Sequence, residues 1–149
     1  MTGNRPTAGL TGTESIGTVR IMPMLSLRDA PRASEFYRQA FGARELSRVT
    51  SPEGRVVAIL AIGEAEFGVV DEAPQVGNLS PETLGGTSVR ISLYVADPDA
   101  VARRAIDAGA ELIFPVEDQP YGMRQGRVQD PFGHHWLIGR PLEDQLSGR

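Results

Sequence analysis

One motif is written twice along this chain, about 68 residues apart. The first copy runs Met24-Leu25-Ser26-Leu27-Arg28-Asp29, then a helix-like stretch, then Phe41-Gly42-Ala43-Arg44-Glu45-Leu46. The second runs Ile91-Ser92-Leu93-Tyr94-Val95-Ala96-Asp97, a second helix-like stretch, then Ala108-Gly109-Ala110-Glu111-Leu112. Asp29 answers to Asp97, and Gly42 to Gly109, at nearly one offset. An internal repeat has to be settled before any fold is assigned, and two copies are too few for a stacked solenoid. They imply two equivalent halves joined into one compact object, with a binding site where the halves meet.

Each half carries the same local signals. Val19–Leu27 reads as a strand, Asp29 as a helix N-cap, and Pro31 sits in the first turn where a missing N–H costs nothing. Ala33, Phe36, Tyr37, Ala40 and Phe41 recur at helical spacing and make one apolar stripe, which Gly42 ends. Strands follow at 45–50, 55–62 and 66–71. The second half repeats the order: a strand over 89–95, Asp97 and Pro98 opening a helix with Val101, Ala102, Ala105 and Ile106 inward, Gly109 closing it, and strands at 111–114, 127–129 and 136–139. The expected fold class is therefore α+β, two tandem β-α-β-β-β units forming a cupped mixed sheet. Residues 1–18 read as a flexible tail lacking the apolar core of a signal peptide, and 143–149 as a second tail. Between them, 19–142 reads as a single domain, its repeats 19–71 and 88–142 joined by a Pro- and Gly-rich linker, 72–87.

Bulk properties exclude several function classes. With a net charge of -4 and a pI near 5.2, a nucleic-acid footprint, which would need a basic face, is not expected. Without cysteine there is no disulfide framework and no thiolate chemistry, which fits a cytoplasmic protein. No apolar run approaches a membrane span. Nucleophile elbows, phosphate loops and dinucleotide fingerprints are absent from the sequence.

Strand parity assigns the faces, because alternate side chains point to opposite sides. Ile91, Leu93 and Val95 should meet the second helix, leaving Arg90, Ser92 and Tyr94 to the cup. Met22, Met24 and Ser26 face it from the first strand. In the last strand Trp136 and Ile138 go to the helix side, with His135 and Leu137 toward the cup. An inward arginine needs a carboxylate or an anionic ligand. Arg90 therefore has two readings: an internal pair with Glu66, or ligand recognition. Tyr121 and Arg124, between Gly122 and Gly126, either pack a loop or form a lid over a flat, charged ligand.

The paired strand-Asp-helix-Gly units resemble the vicinal oxygen chelate superfamily of glyoxalases, bleomycin resistance proteins and dioxygenases. So does the closing run Tyr121-Gly122-Met123-Arg124-Gln125-Gly126-Arg127-Val128-Gln129-Asp130-Pro131-Phe132-Gly133-His134-His135-Trp136, which is similar to the bleomycin-resistance-like or phosphonate-operon-like branch. The resemblance covers about residues 20–140 and implies a cup that, in the metal enzymes, holds a divalent ion. The positions it points to here are Met22, Arg90 and Leu137, with Glu66 as the one carboxylate. Thioether, guanidinium and isobutyl groups do not replace imidazole or carboxylate ligands. The expectation is thus no metal and no cofactor. Adjacent strand residues diverge, so His134 reads as a turn residue and His135 as cavity wall, with a two-ligand His135–Glu66 site as the alternative.

The function expected is metal-independent binding and sequestration of a small molecule, anionic or aromatic, in a homodimer. Its ligand-binding set is Arg90, Ser92, Tyr94, Tyr121, Arg124 and His135. The alternative is a glyoxalase- or dioxygenase-type enzyme using a divalent metal, or a cofactor-free reaction with Glu66 as general base. A third reading gives the protein a vestigial cavity and a partner-binding role.

Overall fold

In a computed structural model of the protein, residues 16–143 are described. The expected tails 1–18 and 143–149 lie largely outside them. The first repeat comprises β1 (Met24–Leu27), α1 (Ala30–Phe41), β2 (Arg44–Thr50), β3 (Val56–Ile62) and β4 (Ala65–Asp71). The second comprises β5 (Arg90–Tyr94), α3 (Pro98–Ala108), β6 (Glu111–Asp118), β7 (Met123–Gln129) and β8 (His135–Pro141). Each repeat makes a four-stranded sheet, ordered β1-β4-β3-β2 and β5-β8-β7-β6. In both, the first strand runs parallel to the last and the remaining pairs are antiparallel. The repeat read in the sequence is a repeat of topology, and the fold is α+β as expected.

The helices form where the caps are. Asp29 accepts the Arg32 N–H at 3.1 Å, and Gly42 ends α1 in the left-handed region at φ 70. Asp97 accepts the Ala100 N–H at 3.1 Å to open α3. The segment between the repeats is more ordered than its composition suggests. It holds a 3-10 turn at Pro74–Val76 and a short helix, α2 (Pro81–Leu84), whose Ser80 cap accepts the Thr83 N–H. The Glu72 carboxylate ties it down by accepting from the Ser80 N–H and the Thr83 hydroxyl.

Helices α1 and α3 pack on their own sheets and on one another, so the covered faces of the two sheets turn inward. Phe36, Tyr37 and Phe41 of α1 meet Phe67 of the first sheet and Phe132 and Trp136 of the second repeat, with ring centroids 4.8–6.4 Å apart. Trp136 is core rather than a ligand platform. Ile106, expected inward, is partly exposed, because the small residues Ala102 and Ala105 let α3 seat without it.

The centre of this joint is a carboxylate. Asp130 accepts the backbone N–H of Phe132 and of His134 and the Trp136 indole N–H, each at 2.9 Å, and also the Tyr37 hydroxyl from the other repeat. Burial, reinforced by the Asp130 charge, pushes the Tyr37 phenol well above its ordinary value. The native state thus holds that proton more tightly than the unfolded chain. The contribution is complete below the unfolded value near 10 and is lost as pH rises above it, by at most about 1.4 kcal/mol per pH unit. Alkaline unfolding followed by circular dichroism should show this slope in the wild-type protein and a shallower one in Tyr37→Phe.

Candidate functional site

With helices on the inner faces, each sheet leaves one face uncovered, and the two differ sharply. Cross-strand register maps them, since side chains in register share a face. On the first sheet one row reads Met24, Gly68, Ile59, Ser47 and the next Ser26, Val70, Val57, Val49. Those two rows are largely apolar, and the row beyond them, Glu66, Ala61 and Arg44, is charged. On the second sheet the rows read Arg90, His135, Gln129, Glu111; then Ser92, Leu137, Arg127, Phe114; then Tyr94, Gly139, Gln125, Glu117. That face is polar and aromatic, and carries two arginines and two glutamates.

The second face holds a cavity of about 300 Å³, lined by Arg90, Phe114, Tyr121, Gln125, Arg127 and Leu137 among others. The Arg90 side chain makes no ion pair or hydrogen bond among the described residues. The Arg127 guanidinium lies over the Phe114 ring, 5.3 Å from its centroid, while its buried Nε has no hydrogen-bond partner. Tyr121 stands at the rim, 62% exposed, its hydroxyl donating to the Gln125 side-chain oxygen at 2.7 Å. His135 is held below its ordinary value, first by desolvation and then by the Arg127 charge, so neutral imidazole is favoured beside the arginine. Its Nδ1 is also buried without a partner.

Of the residues picked out from sequence, Arg90, Ser92, Tyr94 and His135 share this face, and Tyr121 edges it. Arg124 does not. Its Nε and Nη2 donate to the Asp99 carboxylate at 2.8 and 2.7 Å, and its Nη1 to Asp118 at 2.9 Å. These contacts hold Asp99 below the usual carboxylate range, chiefly through the hydrogen bonds from Arg124. The expected loop is shorter than its glycines suggest: β7 begins at Met123, so parity sends Arg124 with Val128 to the helix side. The same parity brings Arg127 to the cavity, a residue that sequence reasoning passed over although it alternates with the buried Val128.

Glu66 also lies elsewhere. Its carboxylate accepts from Arg20 at 2.6 Å, on the first sheet. It lines a separate cavity of about 490 Å³ between that sheet and the free edge of β5, with Phe67, Ser92 and Trp136. Neither the Arg90–Glu66 pair nor a His135–Glu66 site forms within the chain, because the partners belong to different sheets. Met22, Glu66, Arg90 and Leu137 do not fit the divalent ion of the family's metal enzymes. They supply one oxygen ligand, already paired, and a fixed positive charge. Among the described residues no cluster of three His, Asp or Glu side chains could hold such an ion.

The duplicated β-α-β-β-β topology is found in known proteins. The family described as Glyoxalase/Bleomycin resistance protein/Dioxygenase superfamily matches residues 19–138. The chain belongs to that superfamily. An uncharacterised protein of Mycobacterium tuberculosis is 43% identical over 128 residues, covering 83% of this chain and 75% of that one. Among solved structures, TioX from a Micromonospora species is 28% identical with a TM-score of 0.67, covering 84% of this chain and all of TioX. The fosfomycin resistance protein FosX of Mesorhizobium loti shares the fold at 17% identity and a TM-score of 0.63, covering 91% of this chain and 100% of FosX. No helix among the described residues of this superfamily member is long and apolar enough to cross a membrane.

Proposed function

We propose that this superfamily member binds and sequesters a small molecule without a metal ion, in the cytoplasm and as a homodimer. One observation carries the reading: the open face of the second sheet gathers two arginines without acidic partners, the aromatic side chains of Phe114 and Tyr121 and an apolar floor at Leu137 around one cavity. Such a surface orients a flat ligand by its charged end and desolvates its body. The apolar face of the first sheet, left bare in one chain, supplies the opposite wall when a second copy lies across it. Met24 at 50% exposure, Tyr94 at 64% and Phe114 at 56% are large apolar groups that such an assembly would cover. The enzyme alternative has less support, because Glu66, its candidate base, is paired with Arg20 and faces another cavity.

The test is elemental analysis of purified protein followed by a thermal-shift screen of aromatic acids in the presence of a chelator. A ligand at one hundred times its dissociation constant stabilises the fold by about 2.7 kcal/mol. The shift should persist with the chelator and fall sharply in Arg90→Ala. Retention of one ion per chain, with binding abolished on its removal, would overturn the reading.

A further inference from the structure

Arg127 has the environment of a residue waiting for an anion. The sheet interior would favour a neutral side chain at this half-buried position. Instead a guanidinium lies flat on Phe114, with its buried Nε lacking any acceptor. Gln125 and Glu117 flank the cavity, yet the first accepts from Tyr121, and the second forms no ion pair with either arginine. Arg90 stands two strands away and one alternate row along, about 10 Å across and about 7 Å along from sheet spacing alone. That spacing is within the combined reach of two arginine side chains across Leu137. Both line the same cavity of about 300 Å³.

The geometry points to a two-arginine clamp, Arg90 with Arg127, that takes an oxyanion (a carboxylate or a phosphonate) carried on an aromatic or apolar body. The clamp rests on the reading of this face as a ligand site and adds to it the chemistry of the ligand's head. Phe114 has a positioning role: its ring fixes one guanidinium plane and leaves the N–H edge free to donate. A planar guanidinium presents paired N–H donors matched to two oxygens of one anion, which a lysine ammonium cannot do. Leu137 and the Tyr121 ring would receive the ligand's body. Hydrogen bonding to the ligand would satisfy the orphaned Arg127 Nε, the one polar atom of the clamp that the folded chain leaves buried and unmet.

Isothermal titration of chelator-treated protein with benzoate, phenylphosphonate and neutral benzyl alcohol tests the clamp. The wild-type protein should bind an anionic probe at least tenfold more tightly than benzyl alcohol. Arg127→Gln and Arg90→Gln should each remove that preference while leaving the weak binding of benzyl alcohol unchanged. Arg127→Lys, which keeps the charge without the fork, should fall between. Phe114→Leu, which keeps both arginines, covers the case in which Arg127→Gln does not fold, and should lower the anion preference several-fold. Stronger binding of phenylphosphonate would assign a doubly charged head, and stronger binding of benzoate a carboxylate; both support the clamp. An anion preference that survives Arg127→Gln, or equal binding of benzyl alcohol, would overturn the clamp and leave the ligand-site reading standing. Failure of all three probes to bind would overturn both.

Discussion

Asp130→Ala should lower the melting temperature by about 10–20 °C, corresponding to about 3–5 kcal/mol of lost stability. The carboxylate accepts four donors at once: two backbone N–H groups of its own turn, the Trp136 indole and the Tyr37 hydroxyl. Asp130 itself is 2% exposed and Trp136 1%, so water does not replace the lost acceptor without opening the core. Each stranded donor costs about 1–3 kcal/mol, partly recovered as the turn relaxes. The damage should also be shared between repeats, because Tyr37 belongs to the first and Trp136 to the second. Asp130→Asn retains one acceptor oxygen but turns an amide N–H₂ toward donors, and should fall between wild type and Asp130→Ala. Asp97→Ala provides the scale of an ordinary cap, about 1 kcal/mol. Differential scanning calorimetry on the three variants reads the order. If Asp130→Ala costs no more than Asp97→Ala, the carboxylate is not the joint described.

Asp130 also shows how far the sequence could be read. Residues 130–133 were legible as a turn and as part of a family signature, because both depend on local spacing. That the same carboxylate holds a tyrosine 93 positions earlier was not legible, since nothing local to Tyr37 announces a partner at that distance. Alternation marks the strands and parity their faces: Trp136 and Ile138 to the helix side, Arg90 and His135 to the face away from the helices. Parity failed where the element boundary failed. By its glycines Arg124 reads as a loop residue, but β7 begins at Met123 and turns it to the helix side, toward Asp99 and Asp118. Glu66 failed for another reason. Its partner Arg20 precedes β1, in a segment whose path only tertiary packing sets. The repeat itself was visible because capping residues and glycine stops are short-range devices. The arrangement of the repeats, helices together and uncovered faces apart, follows from α1 carrying enough aromatic surface to serve both sheets.

Ile59→Asp should convert a dimer into a folded monomer. Ile59 lies at the middle of the uncovered face of the first sheet, in a row with Met24 and Gly68 and beside Val57 and Val70. Nothing in the single chain requires an apolar residue there, since the helix packs on the other side, against Leu25, Ala58 and Val69. A carboxylate at this point is therefore solvated in the monomer, and the chain should keep its circular dichroism spectrum and most of its melting temperature. In a two-fold dimer the substitution appears twice and buries an unpaired charge each time. At about 3–5 kcal/mol per buried, unpaired charge, association weakens by at least two orders of magnitude. Sedimentation equilibrium over a concentration series measures this directly, with Ile59→Val as the control that keeps the face apolar. A wild-type protein that stays monomeric at high micromolar concentration would rule out the dimer, and an unchanged Ile59→Asp dimer would move the interface elsewhere. Monomerisation should also weaken ligand binding, although Ile59 lies on a different sheet from Arg90 and Arg127. An exposed half-site leaves those arginines in bulk water, where each charge-assisted hydrogen bond to an anion competes with hydration. Loss of ligand affinity in step with loss of the dimer would therefore tie assembly to function through the removal of water, with no contact from Ile59 to the anion required.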